Sequence, residues 1–165
     1  MLTNLASLTE YTAYFKNLAV NHADILHDDT TNVRFGYFDY LGKKISSKVK
    51  GLCLMLDYPE SDMRGNNEGT LEDLHCGFAI FKQPASDSRA DIETAIEECK
   101  VIVRQILARM AHDYRAGTLE QFRLETVKLY KAGPWKNAWY GYRAEFTVST
   151  PARVFIDNSK WNDIT

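Results

Sequence analysis

Four histidines are the side chains of this 165-residue chain best suited to ligate a metal or transfer a proton: His22, His27, His75 and His112. His22 and His27 are five positions apart, whereas zinc-binding helices place their ligands three or four apart. Two aspartates follow His27, so a metal site there is conceivable, but a solvated histidine at a helix end explains the same residues more simply. His75 and Cys76 are neighbours in a predicted strand, so their side chains point to opposite faces and form no catalytic pair. His112 lies near the end of a predicted helix, where the helix dipole favours a cation. We therefore expect neither a metal centre nor a catalytic histidine.

Other signatures of chemistry are missing as well. Gly65 and Gly69 are not followed by the Lys-Ser/Thr pair of a phosphate-binding loop, and the chain has no nucleophile elbow. Adjacent carboxylates at Glu97 and Glu98 fall on the polar side of a predicted helix, where a solvated face explains them. The three cysteines each lie in an apolar segment, which predicts buried, reduced thiols: Cys53, Cys76 and Cys99. We predict a non-enzymatic protein without a cofactor.

The bulk composition is typical of one soluble globular domain. Hydrophobic residues make up 45% of the chain and charged residues 25%. The net charge of −2 argues against a general nucleic-acid binder, since such proteins usually carry a clear basic excess. No apolar run approaches the roughly 18 residues that span a bilayer, and the first residues lack the basic region of a secretory signal. We therefore expect no membrane segment and no secretion.

Two amphipathic helices are predicted to position these side chains. The longer one begins at Ser88, where Ser88-Arg-Ala-Asp91 fits a capping box, and it ends before Gly117. Its apolar residues recur with the spacing of one buried helical face: Ile92, Ala95, Ile96, Cys99, Ile102, Val103, Ile106, Leu107, Met110 and Tyr114. Residues 1–27 carry a second apolar stripe, with Thr3 or Ser7 as the cap. The long helix is thus predicted to be the element against which a sheet packs.

Strand-like segments lie on both sides of the long helix. They are residues 33–40, 45–58, 74–82, 121–132 and 139–149. The polar segment between Tyr58 and Glu72 has little to bury, so it is predicted to be a long mobile loop. A change of phase within 121–132 predicts a β-bulge near Glu125. Together these elements predict an α+β fold with an antiparallel sheet of about four to five strands, packed by the long central helix and the N-terminal helix.

The C-terminal region concentrates large aromatic residues. We predict one domain over residues 1–150, because Pro151 cannot continue the sheet. Residues 151–165 are predicted to be a C-terminal extension that acts as an interface arm, and packing of this extension on its own domain is the alternative. Aromatic side chains are enriched in protein interfaces. The candidates for contact with another chain are four of them: Trp135, Trp139, Phe155 and Trp161.

Charge is separated along the chain. Residues 57–73 contain six acidic residues and one arginine, whereas four lysines cluster within residues 43–50. Segments of opposite charge can meet at interfaces that close a ring of identical subunits. A strand edge protected by charge is the competing interpretation of the lysines.

The order of elements resembles that of bacteriophage tail-terminator and tail-completion proteins and of similar proteins in contractile injection systems. The resemblance covers about residues 1–150 and includes a closing hairpin whose last strand reads Trp139-Tyr-Gly-Tyr-Arg-Ala-Glu-Phe-Thr-Val148. It implies a non-enzymatic virion subunit that forms a ring, usually of six, ends the tail tube and contacts the neck or connector. Members of this family do not share catalytic residues, so none is carried over. The charge and hydropathy separately predict no sequence-specific nucleic acid and no membrane as partners. The alternative is a small cytosolic ligand-binding module with a pocket lined by aromatic side chains.

Overall fold

The structure is a computed structural model that describes residues 2–39, 41, 51–66, 69–136, 138–152 and 158–160. In these residues there are two long helices, α1 (Leu8–Asn21) and α2 (Arg89–Arg115). The strands are β1 (Thr3–Asn4), β2 (Phe35–Tyr37), β3 (Cys53–Leu56), β4 (Glu60–Asn66), β5 (Gly69–Lys82), β6 (Leu119–Glu120), β7 (Lys128–Trp135) and β8 (Trp139–Ala152). Short 3-10 turns cover Leu124–Thr126 and Asn158–Lys160. The predicted α+β class is confirmed.

The main sheet is mixed and larger than predicted. It has six strands, in the order β2-β3-β5-β8-β7, with β4 pairing to β5 beside that path. Strands β2 and β3 are parallel, whereas β3, β4 and β8 pair antiparallel with β5, as β7 does with β8. A separate parallel pair joins β1 and β6. The prediction of a purely antiparallel sheet with four to five strands is therefore wrong, because hydrophobic periodicity reports burial and carries no information about strand direction.

Helix α2 begins and ends where the sequence predicted. The Ser88 hydroxyl accepts a hydrogen bond from the Asp91 amide at 3.2 Å, and Gly117 follows the helix with a φ of 69°. The second contact of a capping box, from the Ser88 amide to the Asp91 carboxylate, is replaced by another. The Asp91 carboxylate accepts from the Ser86 hydroxyl instead. Among the described residues, neither long helix combines the length and the hydrophobicity needed to cross a bilayer.

Helix α1 is shorter than predicted. Ser7 caps it by accepting from the Glu10 amide at 3.4 Å, and the helix ends at Asn21 rather than at residue 27. Leu26 has a φ of 48°, which is a left-handed conformation that an α-helix does not contain. Ile25 is nevertheless fully buried. The apolar stripe thus predicted burial correctly beyond the helix end, although the backbone there is not helical.

Both helices pack on the same face of the sheet. In α1, the ring centroid of Phe15 lies 5.2 Å from that of Phe78 and 6.4 Å from that of Phe146. The apolar residues that α2 buries against the same strands are Ala95, Cys99, Ile102, Val103, Ile106, Leu107 and Met110. The Tyr14 hydroxyl donates to Asp113 Oδ2 at 2.9 Å and ties α1 to α2. This face is the main hydrophobic core, so polar function belongs to the opposite face and to the sheet edges.

The acidic segment after β3 forms a strand, so the prediction of a long mobile loop is wrong. Strand β4 pairs with β5 from Glu60 opposite His75 to Asn66 opposite Gly69. The side chains of residues 60–65 are exposed. Backbone hydrogen bonds hold this hairpin without an apolar face, and a composition argument based on burial does not detect them.

Strand β8 continues beyond the predicted end of the sheet. Its pairing with β5 includes Pro151 opposite Leu71 and reaches Ala152 opposite Thr70. Strand β7 pairs with β8 only as far as Glu145, so the far end of β8 lies at the sheet edge, where a residue without an N–H is tolerated. The predicted boundary at residue 150 is therefore wrong, because the described part of β8 reaches Ala152.

The start of β7 also differs from the prediction. A 3-10 turn over Leu124–Thr126 takes the place of the β-bulge predicted near Glu125. The irregularity in pairing lies instead between Ala132 and Trp135. The local change of hydrophobic phase was correctly detected, but a tight turn produces the same change of phase as a bulge.

Candidate functional site

A cleft of about 530 Å³ lies on the sheet face opposite the two helices. Polar side chains of β5 and β8 form its floor. Its rims are formed by residues from three other parts of the chain: Phe38, Asp39, Tyr58 and Glu60 on one side, and Thr126 and Lys128 on the other. The volume is in the range of ordinary ligand pockets.

Strand register places four distant residues in one row across this floor. The Asp57 amide donates to the Gly77 carbonyl at 3.0 Å, and Gly77 is directly opposite Glu145. Glu145 is in turn directly opposite Lys128. Because opposed residues on antiparallel strands share a face, these positions meet although they are far apart in the sequence.

Arg143 joins the two carboxylates of the row. Its Nη2 atom lies 2.8 Å from Asp57 Oδ2 and 2.9 Å from Glu145 Oε1. The Asp57 side chain is 24% exposed and the Arg143 side chain 35% exposed, so the ion pairs are partly shielded from water. A Cβ atom at Gly77 would lie 2.5 Å from Asp57 Oδ2, which is closer than real Cβ contacts. Glycine at this position therefore provides the space in which the carboxylate rests.

Burial raises the pKa of Asp57 above its ordinary value. The positive charge of Arg143 acts in the opposite direction, and the nearby Glu145 and Glu60 raise the pKa further. The balance is a raised pKa, because desolvation of the carboxylate exceeds the stabilisation by the guanidinium. Asp57 therefore binds a proton more readily than an ordinary aspartate does.

A second polar network lies at the β4 end of the cleft. His75 Nε2 is 3.1 Å from Asp62 Oδ2 across the hairpin. The Asp73 carboxylate accepts from Arg64 and from the Ser149 hydroxyl, which lowers the pKa of Asp73. These contacts connect the exposed hairpin to the centre of the sheet.

The thiols of the chain are not poised for chemistry. The three cysteines are buried and free, as predicted: Cys53, Cys76 and Cys99. Burial raises the pKa of Cys76, the thiol nearest the cleft, to about 12, so it is protonated at neutral pH. Among the polar side chains of the cleft, Asp57, Arg143 and Glu145 are suited to binding by ion pairs and hydrogen bonds.

A smaller apolar cluster closes the other end of the cleft face, and it contains Trp139. This residue is 3% exposed, and its cluster comprises Leu41, Cys53, Met55, Ala79, Phe81 and Trp139. The structure does not support the prediction that Trp139 contacts another chain, because the Trp139 side chain is buried within its own chain. Trp139 does lie on the same sheet face as Arg143, but the segment containing Phe38 and Leu41 covers that end of the face.

Trp135 is half-buried at the end of β7. Its ring centroid lies 5.8 Å from that of Phe38 and 5.9 Å from that of Phe81. It remains a candidate for contact with another chain. Phe155 and Trp161 lie outside the described residues, as do the lysines of residues 43–50.

The histidines are placed in separate environments. His22 Nε2 lies 2.9 Å from Gln105 Oε1 of α2. His27 is 5% exposed, and its Nδ1 accepts from the Arg34 amide at 3.1 Å, so it is a buried residue rather than the solvated one that the sequence predicted. In the described part of the chain, no three His, Cys, Asp or Glu side chains are grouped in a way that could hold a metal.

Two sheet edges differ in charge. Strand β4 carries Glu60 and Asp62 on one side of the sheet, and β7 carries Lys128 and Lys131 on the other. All four side chains are exposed. Within the described ranges, no further strand pairs with the outer edge of either strand.

The sequence did not identify the charged row of the cleft. Asp57 directly follows β3, whereas Arg143 and Glu145 both lie on β8, and only the strand register brings them together. One signal was present in Gly77, since a glycine inside a strand often marks a close approach by another group.

Comparison with known proteins leaves the function to be argued from this geometry. No protein-family model, curated protein or solved structure matches the chain.

Proposed function

We propose that this chain is a non-enzymatic structural subunit of a phage tail or a related contractile injection particle. Copies of the chain form a closed ring, with a hexamer as the expected size, that terminates the tail tube and joins it to the neck or connector. The observation that carries the proposal is a pair of sheet edges, β4 and β7, that no further strand covers within the described residues.

An open strand edge presents unpaired backbone N–H and C=O groups to another chain. Contact between two different edges is heterologous, so it repeats from copy to copy and closes into a ring when the rotation per copy divides a full turn. Exposed apolar side chains on these strands add surface for such a contact: Met63 is 59% exposed, Leu129 37% and Tyr130 43%.

The element order also supports this function. An N-terminal helix, a sheet hairpin, a long helix and a closing hairpin follow one another in the order that resembles tail-terminator proteins. The extension after Ala152 supplies a further candidate contact, since Phe155 and Trp161 follow in the sequence.

A second candidate function is a small ligand-binding module. The cleft of about 530 Å³ favours it, because Arg143 lies between two carboxylates at the centre of the floor. Such a site would select a ligand with both donor and acceptor groups.

Native mass spectrometry together with electron microscopy of the purified protein separates the two functions. The ring subunit predicts one discrete closed oligomer across a wide range of protein concentration. A monomer or dimer whose melting temperature rises on addition of a small polar ligand would support the binding module and contradict the ring.

A further inference from the structure

We propose that the basic β7 edge of one copy docks against the acidic β4 edge of the next copy, so that the ring is held together head to tail. This inference rests on the proposed ring function and names the two surfaces that meet. The acidic edge is defined by Asp39, Glu60 and Asp62, and the basic edge by Lys128, Lys131 and Lys136.

The acidic edge carries exposed carboxylates that are available to pair with cations of another copy. The Asp62 side chain is 83% exposed and contacts only His75 among the described residues. Asp39 and Glu60 are exposed and make no ion pair within the described part of the chain. Arg64, the one cation on β4, is already engaged by Asp73. The net character of this edge is therefore negative.

The basic edge offers the complementary charge. Lys128, Lys131 and Lys136 are exposed, and none has an ion-pair partner within the described ranges. Lys128 is directly opposite Glu145, but Glu145 is held by Arg143 at 2.9 Å. Lys128 lies on the cleft face of the sheet, as Glu60 and Asp62 do, whereas Lys131 lies on the helix face. Lys128 is therefore the ammonium group placed to meet the carboxylates of another copy.

The two edges are similar in length, and their charges disfavour pairing between two copies of the same edge. Strand β4 has seven residues and β7 has eight, and Pro134, which lacks an N–H, limits the pairing register near the end of β7. Pairing β7 with β7, or β4 with β4, would place like charges side by side, which is unfavourable. Only the head-to-tail arrangement sets opposite charges against each other, and this arrangement extends to a ring rather than stopping at a dimer.

Charge reversal with mixing tests this directly. The first variant, Lys128→Glu/Lys131→Glu, makes both edges acidic, and the second, Glu60→Lys/Asp62→Lys, makes both edges basic. Each variant alone is expected to lose the oligomer seen for the unaltered protein by native mass spectrometry. An equimolar mixture is expected to regain it, with the two variants alternating around an even-numbered ring. The control matched in net charge to the first variant, Arg104→Glu/Arg115→Glu, reverses two exposed charges on α2 away from both edges and is expected to keep the oligomer.

The outcomes separate this inference from the ring function. A ring that survives both reversals overturns the edge pairing and leaves the ring function standing. Open filaments that are lost on reversal and restored by mixing support the edge pairing and overturn the ring. An unaltered protein that stays monomeric at every concentration overturns both. Circular dichroism and melting temperature show that each variant is folded, so loss of assembly is assigned to the edge.

Discussion

The carboxylate of Asp57 occupies the space that a side chain at Gly77 would require, since a Cβ atom there would lie 2.5 Å from Asp57 Oδ2. The same carboxylate is held by Arg143 at 2.8 Å. One glycine in the middle of a long strand thus permits an ion pair on the sheet face. This relationship links the sequence of β5 to the chemistry of the cleft.

Gly77→Ala is expected to destabilise the protein by at most about 1 kcal/mol, the size of an ion pair near the surface, because the carboxylate is the end of a side chain that can shift. The added methyl group displaces the Asp57 carboxylate from Arg143. Urea denaturation followed by fluorescence measures the change in the free energy of unfolding. Gly69→Ala is the matched control, because a Cβ at Gly69 meets nothing within 4 Å. Equal effects of the two substitutions would contradict the steric argument.

Asp57 is expected to titrate above the ordinary aspartate pKa of about 3.9. Because its pKa is raised on folding, the folded protein binds this proton more tightly than the unfolded chain does. Between the ordinary value and the raised value, this group therefore lowers the free energy of unfolding as the pH rises. Carboxyl NMR measures the pKa directly, and Asp57→Asn should remove this part of the pH dependence.

Asp73 provides an internal comparison of opposite sign. Hydrogen bonds from Arg64 and Ser149 lower its pKa, so its contribution to stability is present above the ordinary aspartate pKa and is lost as the pH falls through the lowered value. If Asp57 and Asp73 titrate together at the ordinary value, the electrostatic description of the cleft is wrong.

The two tryptophans at the β7–β8 turn are expected to act differently. Trp139→Ala should cost about 3–5 kcal/mol of stability, as for other large buried aromatic residues. Trp135→Ala should cost less, because Trp135 is half-buried, and its main effect should be on assembly. Thermal melts and native mass spectrometry on both variants test this. A stable Trp139 variant that fails only in assembly would restore Trp139 as an interface residue.

Helix α2 was predictable because its signals are local. Ser88 and Gly117 mark its ends through side-chain capping and backbone conformation, which depend on neighbouring residues alone. Strand β4 was not predictable in this way. The side chains of residues 60–65 are exposed, and among the described residues β4 pairs with β5 alone, through its backbone.

The cleft could not be predicted from the sequence, for a related reason. Asp57, Glu145 and Lys128 become neighbours through the registers of three strand pairs, and a shift of one residue in any of them would move a side chain to the other face. The burial of Trp139 depends on the segment containing Phe38 and Leu41. Such coverage by a distant segment leaves no local pattern.

Truncation after Ala152 tests the predicted arm. The shortened protein is expected to keep its melting temperature and to need at least about tenfold more protein to assemble, a change of about 1.4 kcal/mol. Burial of Phe155 and Trp161 at about 25 cal/mol per Å² of apolar area is sufficient for that loss. Analytical ultracentrifugation measures the assembly midpoint, with Phe155→Ala and Trp161→Ala as finer variants. Unfolding of the truncated chain, or an unchanged oligomer, would show that the extension is not an interface arm.

The most direct test of the central claim is the mass of the unaltered protein in solution, combined with class averages from electron microscopy. The account predicts a single closed ring with a fixed number of copies, formed by the open edges β4 and β7. A protein that remains monomeric at all concentrations, or one that forms only open filaments, would contradict it.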